Sequence, residues 1–249
     1  GSGFGVMAIV AGVERGWIGR AEAAERLLRA VRFLARAGAY HGVFPHFLDG
    51  ETGRTIPFSR KDDGGDIVET SFLMMGLLAA RQYFDGAGAE RELRDRINGL
   101  WSEVEWDWHT REGRDVLFWH WSPNNGWAMN HEIRGWNECL ITYVLAAASP
   151  RYPIEPEVYH KGFARDGAMK NGRRYPGIEL PLGPPRGGPM FFAHYSFMGL
   201  DPRGLEDRYA DYWRQNVAHT AINRAHCLAN PKGCKGYGEA CWGLTACDN

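Results

Sequence analysis

Two hydrophobic patterns alternate along the first half of the chain. Residues 20–37 carry apolar side chains at helical spacing on one face and arginines largely on the other, which predicts an amphipathic helix. Residues 66–84 are instead apolar on nearly all sides, which predicts a helix enclosed by other helices. Residues 90–104 are again more polar, and residues 131–148 are again mostly apolar. This alternation predicts a helical toroid, in which an outer ring of helices wraps an inner ring.

The remaining segments are predicted to form shorter helices and long loops at one end of that toroid. They are helices over 4–13 and 205–228, a short helix or extended segment over 191–198, and β-hairpins over 44–58 and 106–121. Residues 152–189 are rich in proline and glycine and too long for a simple connection, which indicates a functional loop or cover. Without repeats or linkers, residues 1–249 are predicted to be one all-α domain with β-hairpin loops.

Composition and charge exclude two classes of function. The 249 residues carry 29 Lys and Arg against 30 Asp and Glu, and this net charge of -1 offers no basic surface to a nucleic acid. The sequence has no apolar stretch of about 18 residues, so no segment is expected to insert into a membrane. Ten tryptophans, ten tyrosines and twelve phenylalanines are unusually many, and such rings suit either sugar faces or an aromatic core.

The five cysteines include no Cys-x-x-Cys pair, which disfavours a zinc site. We therefore expect neither a metal nor an organic cofactor. Cys139 lies in an apolar run and is predicted to belong to the core. The other four would allow one or two disulfides in an exported protein; they are Cys227, Cys234, Cys241 and Cys247.

The most concentrated candidate chemistry lies at the start of the predicted helix over 66–84. Four carboxylates fall within eight residues next to Arg60, at Asp62, Asp63, Asp66 and Glu69. Because hydrolysis of a glycosidic bond needs two carboxyl groups, this cluster is a candidate catalytic site. The alternative is a capping box, in which Asp66 caps the helix and Glu69 reaches back to it. Capping alone does not explain why Asp62 and Asp63 lie in the same place.

Glu138 is a second acidic candidate, in the middle of the predicted helix over 131–148 and close to Trp136. An ionised glutamate in an apolar helix needs a partner or a wet cavity, which favours a site. The alternative is a salt bridge with Arg134, one helical turn earlier.

Tryptophans at alternate positions indicate a platform for stacking sugar rings. Trp106 and Trp108 are two residues apart, as are Trp119 and Trp121, so each pair is predicted to face one side of its strand. The candidate substrate-binding residues around this platform are His120, Trp121, Asn125, Trp127 and Asn130, and Arg60, Asp63 and Trp136 beside the acidic residues are candidates for the same role. The alternative is cross-strand aromatic packing. His194 and Tyr195 are further candidates for the cleft, with a core position as the alternative.

Several runs of the sequence resemble the bacterial glycoamylase-like proteins. They are residues 3–5, 12–18, 58–59, 62–70, 136–138, 191–196, 237–238 and 242–246. The resemblance covers essentially the whole chain, and that family includes endo-β-1,2-glucanases and domains of cyclic β-1,2-glucan synthases. It implies an (α/α)6 toroid that is incomplete in this chain, because 249 residues are too few for twelve helices.

The resemblance also implies which residues form the site. The family's acidic positions fall on Asp62, Asp66 and Glu69 at the head of the helix, and on Glu138 across the cleft. A further aspartate of the family corresponds to Asp248 or lies beyond the chain. Cys247 stands where a small polar residue is expected.

Residues and resemblance together predict a glycoside hydrolase, with endo-β-1,2-glucan as the first candidate substrate. An inverting reaction is favoured, because Glu138 and the acidic cluster lie on different helices and leave room for water between carboxyl groups about 6.5–9.5 Å apart. Two alternatives stay open. One is a transglycosylase that cyclises or trims a glucan, and the other is a non-catalytic glycan-binding module, against which the four carboxylates argue.

The chain begins without a methionine and stops without a helix end, so we expect a piece truncated at both ends. The only expected partner is an oligo- or polysaccharide, and the complete protein is expected to be a monomer. The resemblance favours a periplasmic or secreted location, although no signal peptide is visible.

Overall fold

The structure of the protein is a computed structural model that describes residues 1–246, so Cys247 and Asp248 lie outside the described residues. Its helices are α1 (Ser2–Glu14), α2 (Arg20–Leu34), α3 (Ile67–Tyr83), α4 (Ala89–Glu103), α5 (Leu140–Ala147), α6 (Phe191–His194) and α7 (Tyr212–Ala229). Short strands pair antiparallel, namely β1 (Phe47–Leu48) with β2 (Thr55–Ile56), β3 (Gly65–Asp66) with β4 (His120–Trp121), and β5 (Arg174–Tyr175) with β6 (Ile178–Glu179).

Helices α1, α3 and α5 lie side by side, and α1 and α3 run in the same direction. At their beginnings, the amino group of the chain lies 3.4 Å from Oε2 of Glu69 in α3. At their ends, the hydroxyl of Tyr83 in α3 donates to Glu14 in α1 at 2.6 Å. The hydroxyl groups of Ser71 and Thr142, both near the start of their helices, join α3 to α5 at 2.8 Å. The amino-terminal ends of these three helices therefore meet on one side of the molecule.

Helices α2 and α4 form a second layer outside the first. Five-residue connections fold α2 back onto α1 and α4 back onto α3, and α2 also packs against α4. Helix α2 buries its apolar face, including Leu27 and Val31, while Arg32 on the other side pairs with Glu92 of α4 at 2.6 Å. The predicted alternation of enclosed and amphipathic helices is confirmed, as are the β-hairpin within residues 44–58 and the largely irregular segment 152–189.

A very close backbone contact holds α1 against α3. A Cβ atom built on Gly3 would lie 1.8 Å from the carbonyl oxygen of Phe72, and one built on Gly76 would lie 2.3 Å from the carbonyl oxygen of Gly3. Only glycine allows the two helices to approach this closely at these positions.

The predicted β-hairpin over 106–121 is wrong. Residues Asp107–Thr110 form a short 3-10 helix, and β4 pairs with β3 rather than with the preceding residues. Trp106 is fully buried whereas Trp108 is partly exposed, so this pair does not share a face. The strand β3, which follows the loop with Asp62 and Asp63, is therefore paired with β4 from the tryptophan-rich segment.

Two predicted helices begin later than expected because other bonds use their first residues. The helix expected over 131–148 starts at Leu140, since Glu132 bridges to Phe118 and the amide of Ile133 donates to Leu117 at 2.9 Å. The helix expected over 205–228 starts at Tyr212, where the side chain of Asp211 caps it.

The cysteines of residues 1–246 form no disulfide; Cys139, Cys227, Cys234 and Cys241 are free thiols. The possible disulfides among Cys227, Cys234 and Cys241 are therefore not present in the described residues, and Cys247 lies outside them. Across the same described residues, every helix is too short or too polar to cross a bilayer.

We expect Gly76→Ala to destabilise the protein, because the new methyl group would push α1 away from α3. Overpacking of this kind costs about 1–3 kcal/mol in the free energy of unfolding. Gly99 in α4 is the matched control: its built Cβ meets nothing within 4 Å, so Gly99→Ala should stabilise by about 0.4–1 kcal/mol. Urea denaturation of both variants measures the difference, and effects of the same sign and size would contradict the close contact.

Candidate active site

The carboxylate of Asp66 is fully buried at the start of α3 and accepts four hydrogen bonds. Its Oδ1 accepts from the backbone amides of Val68 at 3.0 Å and Glu69 at 2.9 Å. Its Oδ2 lies 3.1 Å from Nδ1 of His46 and accepts from Nε1 of Trp119 at 3.1 Å. Four bonds use all the acceptor sites of a carboxylate. Asp66 is therefore suited to hold its four hydrogen-bond partners in position rather than to transfer protons.

The predicted capping box is half correct. Asp66 caps α3, but its own amide donates to the carbonyl oxygen of Phe44 at 2.9 Å, so the side chain of Glu69 does not reach back to it. The Glu69 carboxylate instead lines a cavity of about 1110 Å3 between α1, α2 and the β1–β2 hairpin. Glu69 is therefore not held by the helix cap, and the group that its carboxylate meets is the amino group of Gly1 at 3.4 Å.

Asp62 and His120 form a buried pair next to this cap. Oδ1 of Asp62 lies 3.2 Å from Nε2 of His120, and that nitrogen also accepts the backbone N–H of Gly64 at 3.0 Å. A nitrogen that accepts a hydrogen bond carries no proton and has its single lone pair in use, so Oδ1 of Asp62 has no hydrogen-bond partner among the described residues. Burial raises the pKa of Asp62 and lowers the pKa of His120, which favours the neutral form of both.

Glu138 lies just before α5, and the expectation of a mid-helix position is wrong. Its Oε2 is buried without a hydrogen-bond partner among the described residues. The expected salt bridge with Arg134 is also wrong, because Arg134 pairs with Glu132 at 2.5 Å. Burial raises the pKa of Glu138, so this carboxyl group tends to keep its proton.

The buried thiol of Cys139 lies at the start of α5, next to Glu138 in the chain. Burial raises the pKa of Cys139 well above its usual range. Because Ser71 in α3 bonds to Thr142 in α5, Glu138 lies on the same side of the molecule as Asp66 and Glu69 at the start of α3. Their catalytic roles stay a prediction.

Asp63 and Asn125 are joined by a hydrogen bond, and they connect two loops. The hydroxyl of Ser122 donates to Asp63 at 2.5 Å, and the side-chain amides of Asn124 and Asn125 donate to it at 2.8 and 3.4 Å. The loop that carries Asp62 is thereby fixed to the loop that follows β4. Arg60, on the same loop, is exposed to solvent.

The predicted aromatic platform is only partly brought together. Trp121 and Trp127 lie 6.0 and 6.3 Å from the ring of Trp108, close to His120 in the chain. Asn130 is exposed and accepts a hydrogen bond from Arg111 at 2.6 Å.

The other predicted binding residues contact different elements. Trp136 is buried and stacks on Tyr212 at 5.7 Å, which favours a packing role. Nε2 of His194 lies 3.0 Å from the hydroxyl oxygen of Thr220, and Tyr195 packs on Phe4 at 4.9 Å.

Sequence reasoning missed His46 and His131, and it placed Trp119 in a sugar-stacking platform rather than against Asp66. His46 and Trp119 both bond to Asp66, and His131 stacks on Trp119 at 4.9 Å. His46 lies 20 residues before Asp66, a separation at which no local pattern relates the two. The predicted hairpin over 44–58 was the only signal that could have placed His46 near the carboxylates.

His46, Asp62 and Asp66 bring potential metal-ligand atoms within 4.8 Å of one another. A metal ion would have to displace the N–H groups of His46 and Trp119 from Asp66, whose other oxygen is held by the helix cap. These residues are therefore better suited to a hydrogen-bonded cluster than to a metal site, and we propose no metal here.

The sequence is similar to a known protein family and to several individual proteins. The glycoamylase family model matches residues 130–249. Among curated proteins, an exo β-1,2-glucooligosaccharide sophorohydrolase (non-reducing end) of Parabacteroides distasonis is 47% identical over 267 residues. That alignment covers 99% of this chain and 37% of the relative.

Solved structures share the fold closely. A Bacteroides uniformis protein has 60% sequence identity and a TM-score of 0.96 over 100% of this chain and 61% of its own. An endo-β-1,2-glucanase from Chitinophaga pinensis, in complex with sophorotriose and glucose, has 54% identity and a TM-score of 0.95 over 98% of this chain and 60% of its own. The predicted helical toroid fold is therefore confirmed, and the chain spans about 60% of the length of these two structures.

We expect Glu138→Gln to stabilise the protein at pH 7. The pKa of Glu138 is raised in the folded state, so the wild type loses stability as the pH rises from about 4.5, its unfolded value, through the folded pKa. Glutamine never ionises and avoids that loss, whereas at pH 4 both side chains are neutral and the difference should vanish. Glu132→Gln is the matched control, because Glu132 is already paired and half-exposed. Urea denaturation at both pH values measures the effect, and an unchanged or lower stability of Glu138→Gln at pH 7 would contradict the burial argument.

Proposed function

We propose that this chain, a homologue of the glycoamylase-like family over nearly its whole length, forms the acidic part of a glycoside hydrolase that cleaves β-1,2-linked glucan. Two relatives named for β-1,2-glucan hydrolysis support the substrate. The observation that carries the proposal is the pair of buried carboxyl groups on different elements, Asp62 and Glu138, each with an unpartnered oxygen and a raised pKa.

Glu138 is the proposed general acid. It must hold a proton at neutral pH and give it to the glycosidic oxygen as the bond from that oxygen to the anomeric carbon breaks. Burial without a counter-charge raises its pKa, which favours the protonated form. Burial also raises the pKa of Asp62, and the nearby His120 acts in the opposite direction.

Glu69 is the proposed general base. In an inverting reaction a second carboxylate removes a proton from the water that attacks the anomeric carbon on the opposite face. Glu69 borders the cavity and is not used in the helix cap, so it can reach water. Asp66 positions Glu69 through the cap and orients His46 and Trp119 through its second oxygen.

The expected partner is thus a glucan or a glucooligosaccharide. A monomeric enzyme in the periplasm or outside the cell remains our proposal, on the ground of the resemblance alone.

Incubation with β-1,2-, β-1,3- and α-1,4-glucans should release products only from the β-1,2-glucan. Chromatography identifies the oligosaccharides, and NMR at early times should show the α-anomer at the new reducing end, because an inverting reaction reverses the β-configuration. A β-anomer would contradict the inverting mechanism. Cyclic or lengthened products would instead support the transglycosylase alternative, and action on another glucan would contradict the substrate.

We expect Glu69→Gln and Glu138→Gln each to lower turnover by about 10²–10⁴-fold, the usual contribution of a general acid or base. The amide keeps the size of the side chain, so the free energy of unfolding near pH 4 should stay within about 1 kcal/mol of the wild type. Glu132→Gln should retain activity, since Glu132 forms a partly exposed ion pair with Arg134. Retained turnover in either site variant, together with a large loss of stability, would show a structural role instead.

A further inference from the structure

Three aromatic rings form an exposed cluster on the β1–β2 hairpin, which we call the hairpin aromatic cluster (His46, Phe47 and Phe58). The ring of His46 stacks on Phe58 at 4.3 Å and meets Phe47 edge-on at 4.7 Å, and the two phenylalanine rings are 5.8 Å apart. Phe47 is 49% exposed and Phe58 is 58% exposed. Exposed apolar rings that are grouped in this way often mark a binding surface.

Two direct links join the cluster to the acidic residues. Nδ1 of His46 lies 3.1 Å from Oδ2 of Asp66, so the inner ring of the cluster contacts the cap of α3. The backbone amide of Phe58 donates to the carbonyl oxygen of Asp62 at 2.9 Å, so the outer ring belongs to the same tight loop as the buried acid. The cluster therefore has a fixed position beside the proposed catalytic groups.

The chemistry of the cluster matches one face of a pyranose ring. In a β-glucosyl unit the hydroxyl groups lie around the rim, and each face presents C–H groups that pack on a flat aromatic ring. Phe47 and Phe58 supply such rings without any polar atom. His46 adds a polar edge, because its Nε2 makes no hydrogen bond among residues 1–246 and can meet a hydroxyl of the rim.

We propose that the hairpin aromatic cluster binds a glucosyl unit of the substrate by stacking, directly beside the carboxylates. This inference rests on the proposed function and adds a binding subsite to it. The subsite uses Phe47, Phe58 and the free edge of His46, whereas the tryptophan platform is built from Trp108, Trp121 and Trp127.

The test measures the affinity for linear β-1,2-linked glucohexaose by titration calorimetry, in a Glu138→Gln background that prevents hydrolysis. Phe58→Ala should weaken binding about tenfold, the effect of losing part of the burial of one phenylalanine side chain. Phe58→Tyr keeps the ring and should bind nearly as tightly as its parent. Trp17→Ala is the control, because Trp17 is 76% exposed but follows the far end of α1.

Kinetics in the otherwise unchanged protein give a second readout. Phe58→Ala should raise the KM for β-1,2-glucan and leave kcat within about twofold, because the ring binds substrate without touching the reacting bond. Phe47→Ala provides an independent variant of the same subsite, and a thermal melt of each variant shows whether it is folded.

The outcomes separate this inference from the function on which it rests. If the Glu138→Gln protein binds β-1,2-linked glucohexaose no better than the β-1,4-linked hexasaccharide, the proposed substrate fails and the subsite fails with it. If the preference is present but Phe58→Ala and Phe47→Ala bind as tightly as their parent, only the subsite is overturned. A lower melting temperature of both variants with unchanged affinity would also overturn it, and would show that the rings stabilise the fold instead.

Discussion

The two carboxylate oxygens of Asp66 form four hydrogen bonds with N–H groups, and these bonds hold three separate segments of the site in place. The bonds to Val68 and Glu69 set the first turn of α3, the bond to His46 holds the β1–β2 hairpin, and the bond to Trp119 holds the segment before β4. A buried carboxylate is costly unless every acceptor site is used. Because Asp66 meets that condition with donors from three separate segments, their relative positions follow from it.

Helices α1, α3 and α5 begin on the same side of the molecule, where the candidate catalytic residues lie. The first backbone N–H groups of a helix have no partner within that helix, so three helix starts place several such groups on this side. The glycine contact of Gly3 with Gly76 keeps α1 close to α3, and the pair of Ser71 with Thr142 keeps α5 close on the other side. Glu138, just before α5, therefore lies on the same side of the molecule as Asp66 and Glu69 at the start of α3.

Sequence patterns predicted what depends on local periodicity and failed where distant segments compete for the backbone. The enclosed character of α3 and the amphipathic character of α2 and α4 follow from spacing alone, and these helices lie within a few residues of their predicted bounds. The amides near Ile133 were expected to be helical, but they pair with Leu117 instead, a bond that no local pattern contains.

The same limit applies to the site. Asp62, Asp66, Glu69 and Glu138 could be named from their clustering and from the family resemblance. Whether each of these carboxyl groups caps a helix, forms a pair or has no partner depends on residues far away in the sequence. Only the folded structure shows which residues these are. The role of His46 depends on a bond to a residue 20 positions later, which explains why the sequence did not reveal it.

Two opposing effects decide where the acidic proton lies. Glu138 precedes the amino-terminal end of α5, and a helix end of this kind favours a carboxylate by about 0.3–1 kcal/mol, which is less than one pKa unit. Burial of an oxygen without a partner costs more than that, so the pKa of Glu138 is raised despite the helix. At Asp66 the burial is complete and hydrogen bonds satisfy both oxygens, whereas Oε2 of Glu138 is buried without a partner among the described residues. The two neighbouring helix starts thus hold one fully hydrogen-bonded carboxyl group and one whose pKa is raised by burial, and acid-catalysed cleavage of a glycosidic bond requires a difference of this kind between its two carboxyl groups.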